Sequence, residues 1–373
     1  MRHAIIIISL ASTAATLTAA REKISAPSVA LKNAADPNVL MPFSGAGSGG
    51  YTGNATTYGA YPECWNGCYD PGCLIPDPPS FRSCGDWVEA ALATYIQLGG
   101  RRIDSSDSYH SQMYAGAALS ASGLSRADVF FTSKVGPYLA LGGAEVTSQF
   151  EGILKGTGSW LTGFVDLLLI HWPSCIASGG GSNCPAPYGN SSTPICQVGT
   201  PSYDERECRL DTWRALVVIW HSKGTRAIGV SNYNSTHLQE IKDAGLPLPA
   251  VNQIPFNIYH SHYAVETIAW CNANGVLVNG YSPFGVPDHK TFSPPQARTV
   301  FDDPVVQAIA GAHATSPDVV LLAWHFQQNI VFNPRSMNAA HMINNIGFDG
   351  VNNWSNLGLT SAEMSQLSSR PQA

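Results

Sequence analysis

The chain has 373 residues, of which 44% are hydrophobic and 12% charged, with a formal net charge of −6 at pH 7. That is ample for a full core in one large domain or two smaller ones. No Lys/Arg block is present, which excludes the basic footprint of a nucleic-acid binder, and 35 glycines with 25 prolines imply many turns.

The first twenty residues, MRHAIIIISLASTAATLTAA, place Arg2 and His3 before an apolar run and close on small residues at Ala19 and Ala20. This is the layout of a secretory signal peptide, which directs the chain to the endoplasmic reticulum lumen or the extracellular space. An organelle transit peptide is the alternative, because the segment lacks acids and contains Ser and Thr. The apolar run is too short for a membrane anchor, and no later stretch is long and apolar enough to span a bilayer.

Beyond the leader, β-like runs fall at 39–47, 101–104, 128–135, 165–172, 225–232, 250–254, 276–282 and 329–334. Stretches with helical spacing lie between them at 86–98, 111–123, 144–157, 211–222, 235–243, 262–274, 303–313 and 317–328. Alternating strand and helix implies a parallel sheet. Eight repeats imply a single-domain α/β fold, a closed (β/α)8 TIM barrel over residues 21–373. A doubly wound open sheet would need a glycine-rich turn leading into a helix. FSGAGSGG (43–50) imitates that turn, but YTGNATTYG follows and does not read as a helix.

Two loop insertions, at about 44–86 and 174–210, interrupt this pattern. One carries Cys64, Cys68, Cys73 and Cys84, the other Cys175, Cys184, Cys196 and Cys208. Two even groups behind a leader are expected to form disulfides that staple the loops, with three pairings open in each group. A zinc site at CWNGC with Cys73 and Cys84 is the weaker alternative, and no metal is expected. Cys271, in TIAWCNANG, is expected to be a buried free thiol. Sequons occur at Asn54, Asn190, Asn234 and Asn353, the first two in or beside the Cys-rich loops where a glycan is easily accommodated.

Active sites of such barrels sit at the C-terminal ends of the strands. The polar residues there are Asp104, Lys134, His171, Ser231, Asn232, Gln253, Tyr281, Arg335 and Ser336. A carboxylate beside an ammonium favours the charged form of both, and a cation near a phenol stabilises its phenolate. Asp104 and Lys134 beside Tyr109 would therefore tune a general acid/base, with His171 orienting a carbonyl oxygen. The set suits carbonyl reduction. A barrel hydrolase with paired carboxylates finds a second acid near Asp104 only in Asp107.

These segments resemble the aldo-keto reductase family, NAD(P)H-dependent barrel oxidoreductases. RRIDSSDSYHSQMYAGAAL resembles its Asp–Tyr motif, FFTSKV its lysine strand and VDLLLIHWP its histidine strand. AIGVSNYN, VNQIPFNIYH, NGYSPFG and NPRSMN resemble its cofactor-binding segments in the same order, and the match runs from LMPFSGAG to LGLTSAEM. The resemblance implies Tyr109 as general acid/base, Lys134 and Asp104 as its charged partners and His171 as the residue positioning the carbonyl. It implies that Ser231, Asn232 and Gln253 hold the nicotinamide carboxamide and that Tyr281 stacks on the ring. Arg335 and Ser336 would bind the adenosine 2′-phosphate, and Gly47, Ser48, Ser282, His341 and Asn345 complete the cofactor-binding set. The implied cofactor is NADP (NADPH), the implied substrate a small-molecule aldehyde or ketone, and the expected state a monomer.

The chain departs from the family pattern in several places. His341 stands where an arginine is common, which leaves NAD possible. Asn344–Asn345 replaces a Glu-Asn pair, and Ser111–Gln112 replaces the Asn-Glu after the tyrosine. The family's long C-terminal substrate loop is nearly absent, and the two insertions are expected to shape the substrate site instead. Because reduced nicotinamide is expected inside cells, the alternative is a secreted, non-catalytic barrel acting as a binding or redox-sensing protein. The complete Asp–Tyr–Lys–His set argues against it.

Overall fold

The computed structural model describes residues 27–34, 36, 38–49, 84–109, 111–136, 141–174, 192–285, 300–347 and 353–370. The leader, Cys64, Cys68, Cys73, Cys175, Cys184, the zinc alternative at CWNGC, and the sequons at Asn54 and Asn190 lie outside the described residues. In chain order the elements are β1 (Ser28–Ala30), β2 (Leu40–Pro42), β3 (Ala46–Gly47), α1 (Cys84–Gln97), β4 (Arg102–Asp104), α2 (Gln112–Ala121), β5 (Phe130–Val135) and α3 (Gly143–Gly156). They continue with β6 (Val165–Ile170), α4 (Glu205–His221), β7 (Thr225–Ser231), α5 (Ser235–Asp243), β8 (Val251–Pro255) and α6 (Ser261–Ala273). The last are β9 (Leu277–Tyr281), α7 (Pro304–Ala312), α8 (Pro317–Gln327), β10 (Val331–Asn333), α9 (Ala339–Ile346) and α10 (Ser361–Ser368).

Strands β3 to β10 form one parallel sheet of eight in sequence order. The sheet closes on itself where β10 meets the residues around β3. Gly45 N donates to Phe332 O at 3.0 Å, Phe332 N to Phe43 O at 2.9 Å and Gly47 N to Pro334 O at 3.3 Å. Strands such as FFTSKV and VDLLLI are buried at every position, as strands covered on both faces must be. The fold is a single-domain (β/α)8 barrel. Among the described residues, no single helix is long and apolar enough to cross a membrane.

The expected first barrel strand, 39–47, is divided. Leu40–Pro42 pairs antiparallel with Ser28–Ala30, and only Ala46–Gly47 enters the barrel. Val39 and Met41 are fully buried while Leu40 is exposed, the period-two pattern of a ribbon covered on one face. Asn33 Nδ2 donates to Pro249 O and Asn274 O, just ahead of β8 and β9, so the ribbon lies across the N-terminal end of the barrel.

Helix α4 begins at Glu205 rather than near 211. Asp204 caps it by accepting from Glu207 N at 2.9 Å, and acids in its first turn suit the positive end of the helix dipole. The segments 339–346 and 361–368 are helices that the apolar spacing does not reveal. Each is a short helix marked mainly by its cap: Asn338 for α9 and the reciprocal Thr360–Glu363 box for α10.

Cys196 and Cys208 form a disulfide. It ties a loop to the first turn of α4 rather than closing a loop on itself, because α4 starts inside the expected insertion. The same loop is held to α3 by Ser192 Oγ and Thr193 Oγ1, which donate to Glu145 at 2.5 and 3.1 Å. Cys271 is free and fully buried in α6, where burial pushes its thiol up to about 12. Of the sequon residues described, Asn234 caps α5 and Asn353 closes a turn by accepting from Ser355.

Candidate active site

The barrel brings Asp104, Tyr109, Lys134 and His171 to one place at its C-terminal end. β4 is only three residues long and ends on Asp104, whose carbonyl accepts from Ser48 N at 2.8 Å. The chain then makes a single 3₁₀ turn, Asp107–Tyr109, with Tyr109 N donating to Ser106 O at 3.1 Å. That turn carries the tyrosine back over the mouth. β5 and β6 run alongside and deliver Lys134 and His171.

Lys134 is fully buried, so its ammonium needs partners for all three protons. It donates to Asp104 Oδ1 at 2.6 Å, to Ser105 O at 2.9 Å and to Tyr109 Oη at 3.4 Å. Burial pulls its basicity down, but Asp104 and Tyr109 outweigh burial and leave it above the ordinary lysine value. An ammonium that donates to the phenol oxygen stabilises the charge this oxygen carries once its own proton has left.

His171 Nε2 faces Tyr109 Oη at 3.4 Å, and the rings meet edge to face. Burial, then the Lys134 charge, holds the imidazole well below its usual range, so it is neutral at pH 7. Its Nδ1 faces two hydroxyls, Ser106 Oγ at 3.0 Å and Ser108 Oγ at 3.2 Å.

The expected nicotinamide residues lie side by side on β7, β8 and β9. Ser231 pairs in register with Gln253 and donates through its hydroxyl to Gln253 O at 2.8 Å. Asn232, with a left-handed φ of 63°, donates to His171 O at 2.9 Å and accepts from Tyr281 Oη at 2.9 Å. Ser282 also adopts a left-handed φ, 52°, and its carbonyl accepts from Asn257 Nδ2. Gln253 does more than its expected role required, for its Nε2 donates to Asp104 Oδ2 at 2.7 Å. Clustered amide and hydroxyl groups beside a phenol ring suit a flat ring that bears an amide.

The residues expected to hold the rest of the cofactor are less concentrated. Arg335 and Ser336 are half-buried just past β10. Arg335 lies with its stem against Gly47, where an added Cβ would come within 3.3 Å of its Cγ, and its Nη1 donates to Gly49 O. Ser336 Oγ accepts from Asn338 N at 3.0 Å. His341 is exposed on α9. Ser48 is buried, with its hydroxyl 2.9 Å from that of Ser111. Asn345 is also buried, on the inner side of α9, where its carbonyl accepts from Trp354 Nε1. Ser111 and Gln112 are both turned inward, Gln112 donating to Ser133 Oγ at 3.1 Å.

Sequence reasoning missed Ser105, Ser106 and Ser108. Their signal was faint: three hydroxyls in the four residues between strand end and tyrosine, which read as a polar turn. It also missed Arg102, fully buried beneath Asp104, which donates to Phe332 O and to Asn333 Oδ1 at 2.5 Å each. Gly45 leaves room for it, since a Cβ there would strike the guanidinium. Among the described residues, no group of three or more His, Cys, Asp or Glu is placed to hold a metal ion.

Comparison with known proteins identifies the family. The sequence model of the Aldo/keto reductase family matches residues 86–367. The chain is 30% identical over 265 residues to Aldo-keto reductase family 1 member A1 of Mus musculus, covering 69% of this chain and 76% of that one. It is 28% identical over 289 residues to the Gallus gallus protein of the same name, covering 76% and 80%. In three dimensions it resembles a Bombyx mori aldo-keto reductase in complex with NADP, with a TM-score of 0.69 at 21% identity, covering 94% of each chain. An aldo/keto reductase from Brucella melitensis gives 0.64 at 22%, covering 92% of this chain and 97% of that one.

Proposed function

The chain belongs to the aldo/keto reductase family, and from that premise we propose that it reduces an aldehyde or ketone to the alcohol with NADPH. The observation that carries the reading is the three-way commitment of Lys134 to Asp104, Ser105 O and Tyr109 Oη, with His171 on the other side of the phenol. Ser231, Asn232 and Gln253 would hold the carboxamide, Tyr281 would stack on the ring, and Arg335 with Ser336 would take the adenosine phosphate. The bound nicotinamide supplies a hydride to the carbonyl carbon.

Tyr109 gives its proton to the carbonyl oxygen as that carbon is reduced, so the oxygen leaves as a hydroxyl and the tyrosine becomes a phenolate. Lys134 stabilises the phenolate until solvent returns the proton. Asp104 keeps the ammonium in place and charged. His171 donates to the same carbonyl oxygen and fixes its position between the two groups. In the oxidative direction the phenolate takes the alcohol proton back.

The leader-like first twenty residues and the Cys196–Cys208 disulfide support export into an oxidising compartment. A secreted product that shifts in mobility after glycosidase treatment would agree, and a fully cytosolic product would overturn export.

Titration of the oxidised protein with NADPH and NADH, followed by cofactor fluorescence, tests the reductase reading when aldehydes are then added. Binding with turnover is expected. Failure to bind either cofactor would sink it.

A further inference from the structure

Beyond the four charged and aromatic residues of the site, one polar cluster has no assigned task. Ser106 Oγ and Ser108 Oγ lie 3.0 and 3.2 Å from His171 Nδ1 and 2.9 Å from each other. Ser106 is fully buried and Ser108 half-buried. We propose that these serines are positioning residues that hold His171 in the tautomer protonated at Nε2.

Counting protons supports this. A neutral imidazole has one N–H and one lone pair. With the proton on Nε2, one serine hydroxyl donates to Nδ1 and the second donates to the first. Every proton in the triangle then has an acceptor. With the proton on Nδ1 instead, the imidazole donates to one hydroxyl, which donates to the other, and the last hydroxyl proton has no acceptor in the triangle. A backbone carbonyl facing Nδ1 would have done the reverse, since it can only accept. Hydroxyls can donate, and two of them make the donor difficult to lose.

The opposite side of the ring shows why the choice matters. Nε2 points at Tyr109 Oη, and Lys134 already donates to that oxygen. A carbonyl oxygen arriving there needs donors on both sides, from Tyr109 and from His171. Only the Nε2–H tautomer supplies the second one. Burial and Lys134 prevent the imidazolium from serving instead. The consequence for turnover rests on the reductase reading, whereas the tautomer itself does not.

The test is long-range 1H–15N correlation spectroscopy of the full protein labelled at histidine, with His171 assigned from the signal lost in His171→Gln. The wild type should show the Nε2–H pattern. Ser106→Ala with Ser108→Ala should shift the signal toward Nδ1–H. It should also lower kcat on a reactive aldehyde at least about tenfold, with NADPH binding nearly unchanged. Ser106→Thr, which keeps a hydroxyl, should retain the wild-type pattern. An Nδ1–H pattern in the wild type, or an unchanged pattern in the double variant, would overturn the proposal. If the double variant fails to fold, Ser108→Ala alone should keep the Nε2–H pattern, because Ser106 still donates to Nδ1, and the wild-type pattern then decides the proposal. An Nε2–H wild type that turns over no carbonyl would sink the reductase reading and leave this one standing.

Discussion

Gln253 Nε2 donates to Asp104 Oδ2 at 2.7 Å, while Lys134 Nζ donates to Asp104 Oδ1 at 2.6 Å. The two carboxylate oxygens are thus divided between strands on different sides of the barrel, β8 and β5. Asp104 orients the lysine and is itself oriented by the glutamine. The bond also links the cluster around Ser231 and Asn232 to the one around Tyr109, because the carbonyl of Gln253 receives the Ser231 hydroxyl.

Gln253→Glu should therefore be far worse than its small change in shape suggests. It sets a second carboxylate within hydrogen-bond distance of Asp104, and like charges so close cannot both stay ionised. Expected are a loss of about 2 kcal/mol in urea unfolding and a kcat reduced by tenfold or more at pH 7. Near pH 4, where the new acid can be protonated, the stability gap to wild type should narrow. A variant with wild-type stability across that range would show that the Gln253–Asp104 bond is absent in solution.

Lys134→Met removes the cation from a fully buried carboxylate partner. Breaking such a pair on one side costs about 3–5 kcal/mol, since the remaining charge is left without compensation. Turnover should be lost with it, because Tyr109 Oη loses its donor. Lys134→Met combined with Asp104→Asn should recover a good part of the stability and none of the activity. Denaturant melts of the two variants and an aldehyde reduction assay separate these effects.

The order of strands and helices and the four central residues were legible in the sequence for a physical reason. Barrel strands buried on both faces write continuous apolar runs such as VDLLLI, and a polar residue ending nearly every one of them is more than a solvated rim needs. The β1–β2 ribbon was hidden because its two strands have three residues each and Leu40–Pro42 merges into the next run. The Gln253–Asp104 bond was hidden because the residues are 149 apart in sequence and only ring closure makes them neighbours. The role of Ser106 and Ser108 was hidden because serines between strand and turn are ordinary turn formers. Arg102 stood within the RRID run of the motif, but nothing local says that it points inward past Gly45.

Asp107, in the turn that carries Tyr109, is pushed up to about 6 by burial from an ordinary value of 3.8. The folded state therefore binds more protons than the unfolded chain between these values, and this residue's contribution falls as pH rises through that window. Above pH 6 the cost is fully present, about 2 kcal/mol after allowing for partial exposure to solvent. Asp107→Asn removes it. The variant should be more stable than wild type at pH 8 and equal to it near pH 3.5. Urea midpoints at the two pH values check this, and a constant difference would discard the burial effect.

The Cys196–Cys208 disulfide spans 12 residues and anchors a loop that also holds Glu145 of α3. Constraint of a loop this short in the unfolded chain is worth about 2–3 kcal/mol. Cys196→Ser with Cys208→Ser should lower the midpoint of unfolding accordingly and make it insensitive to added thiol. Cofactor binding should persist, because none of the residues proposed to bind the cofactor lies in the loop. Loss of NADPH affinity in that variant would show that the loop supports the mouth directly.

A side chain at Gly49 would press against the ring of Tyr109. A Cβ there would lie 2.9 Å from Tyr109 Cδ2 and Cε2 and 3.0 Å from Cζ, so the ring has to move. Tyr109 Oη has 3.4 Å contacts on both sides, to Lys134 and to His171, and a shift that shortens one lengthens the other. Misplacing a reacting group by about 1 Å costs on the order of 100-fold in rate. Gly49→Ala should therefore lower kcat about tenfold and Gly49→Val about 100-fold. Stability should fall little, since the residue is partly exposed and the tyrosine can swing outward. The Gly49 carbonyl that receives Arg335 is untouched by either change, so NADPH affinity should stay within a few-fold of wild type. Steady-state kinetics with cofactor titration decides the point: a fall in affinity with kcat preserved would mean that Gly49 serves the cofactor groove rather than the tyrosine.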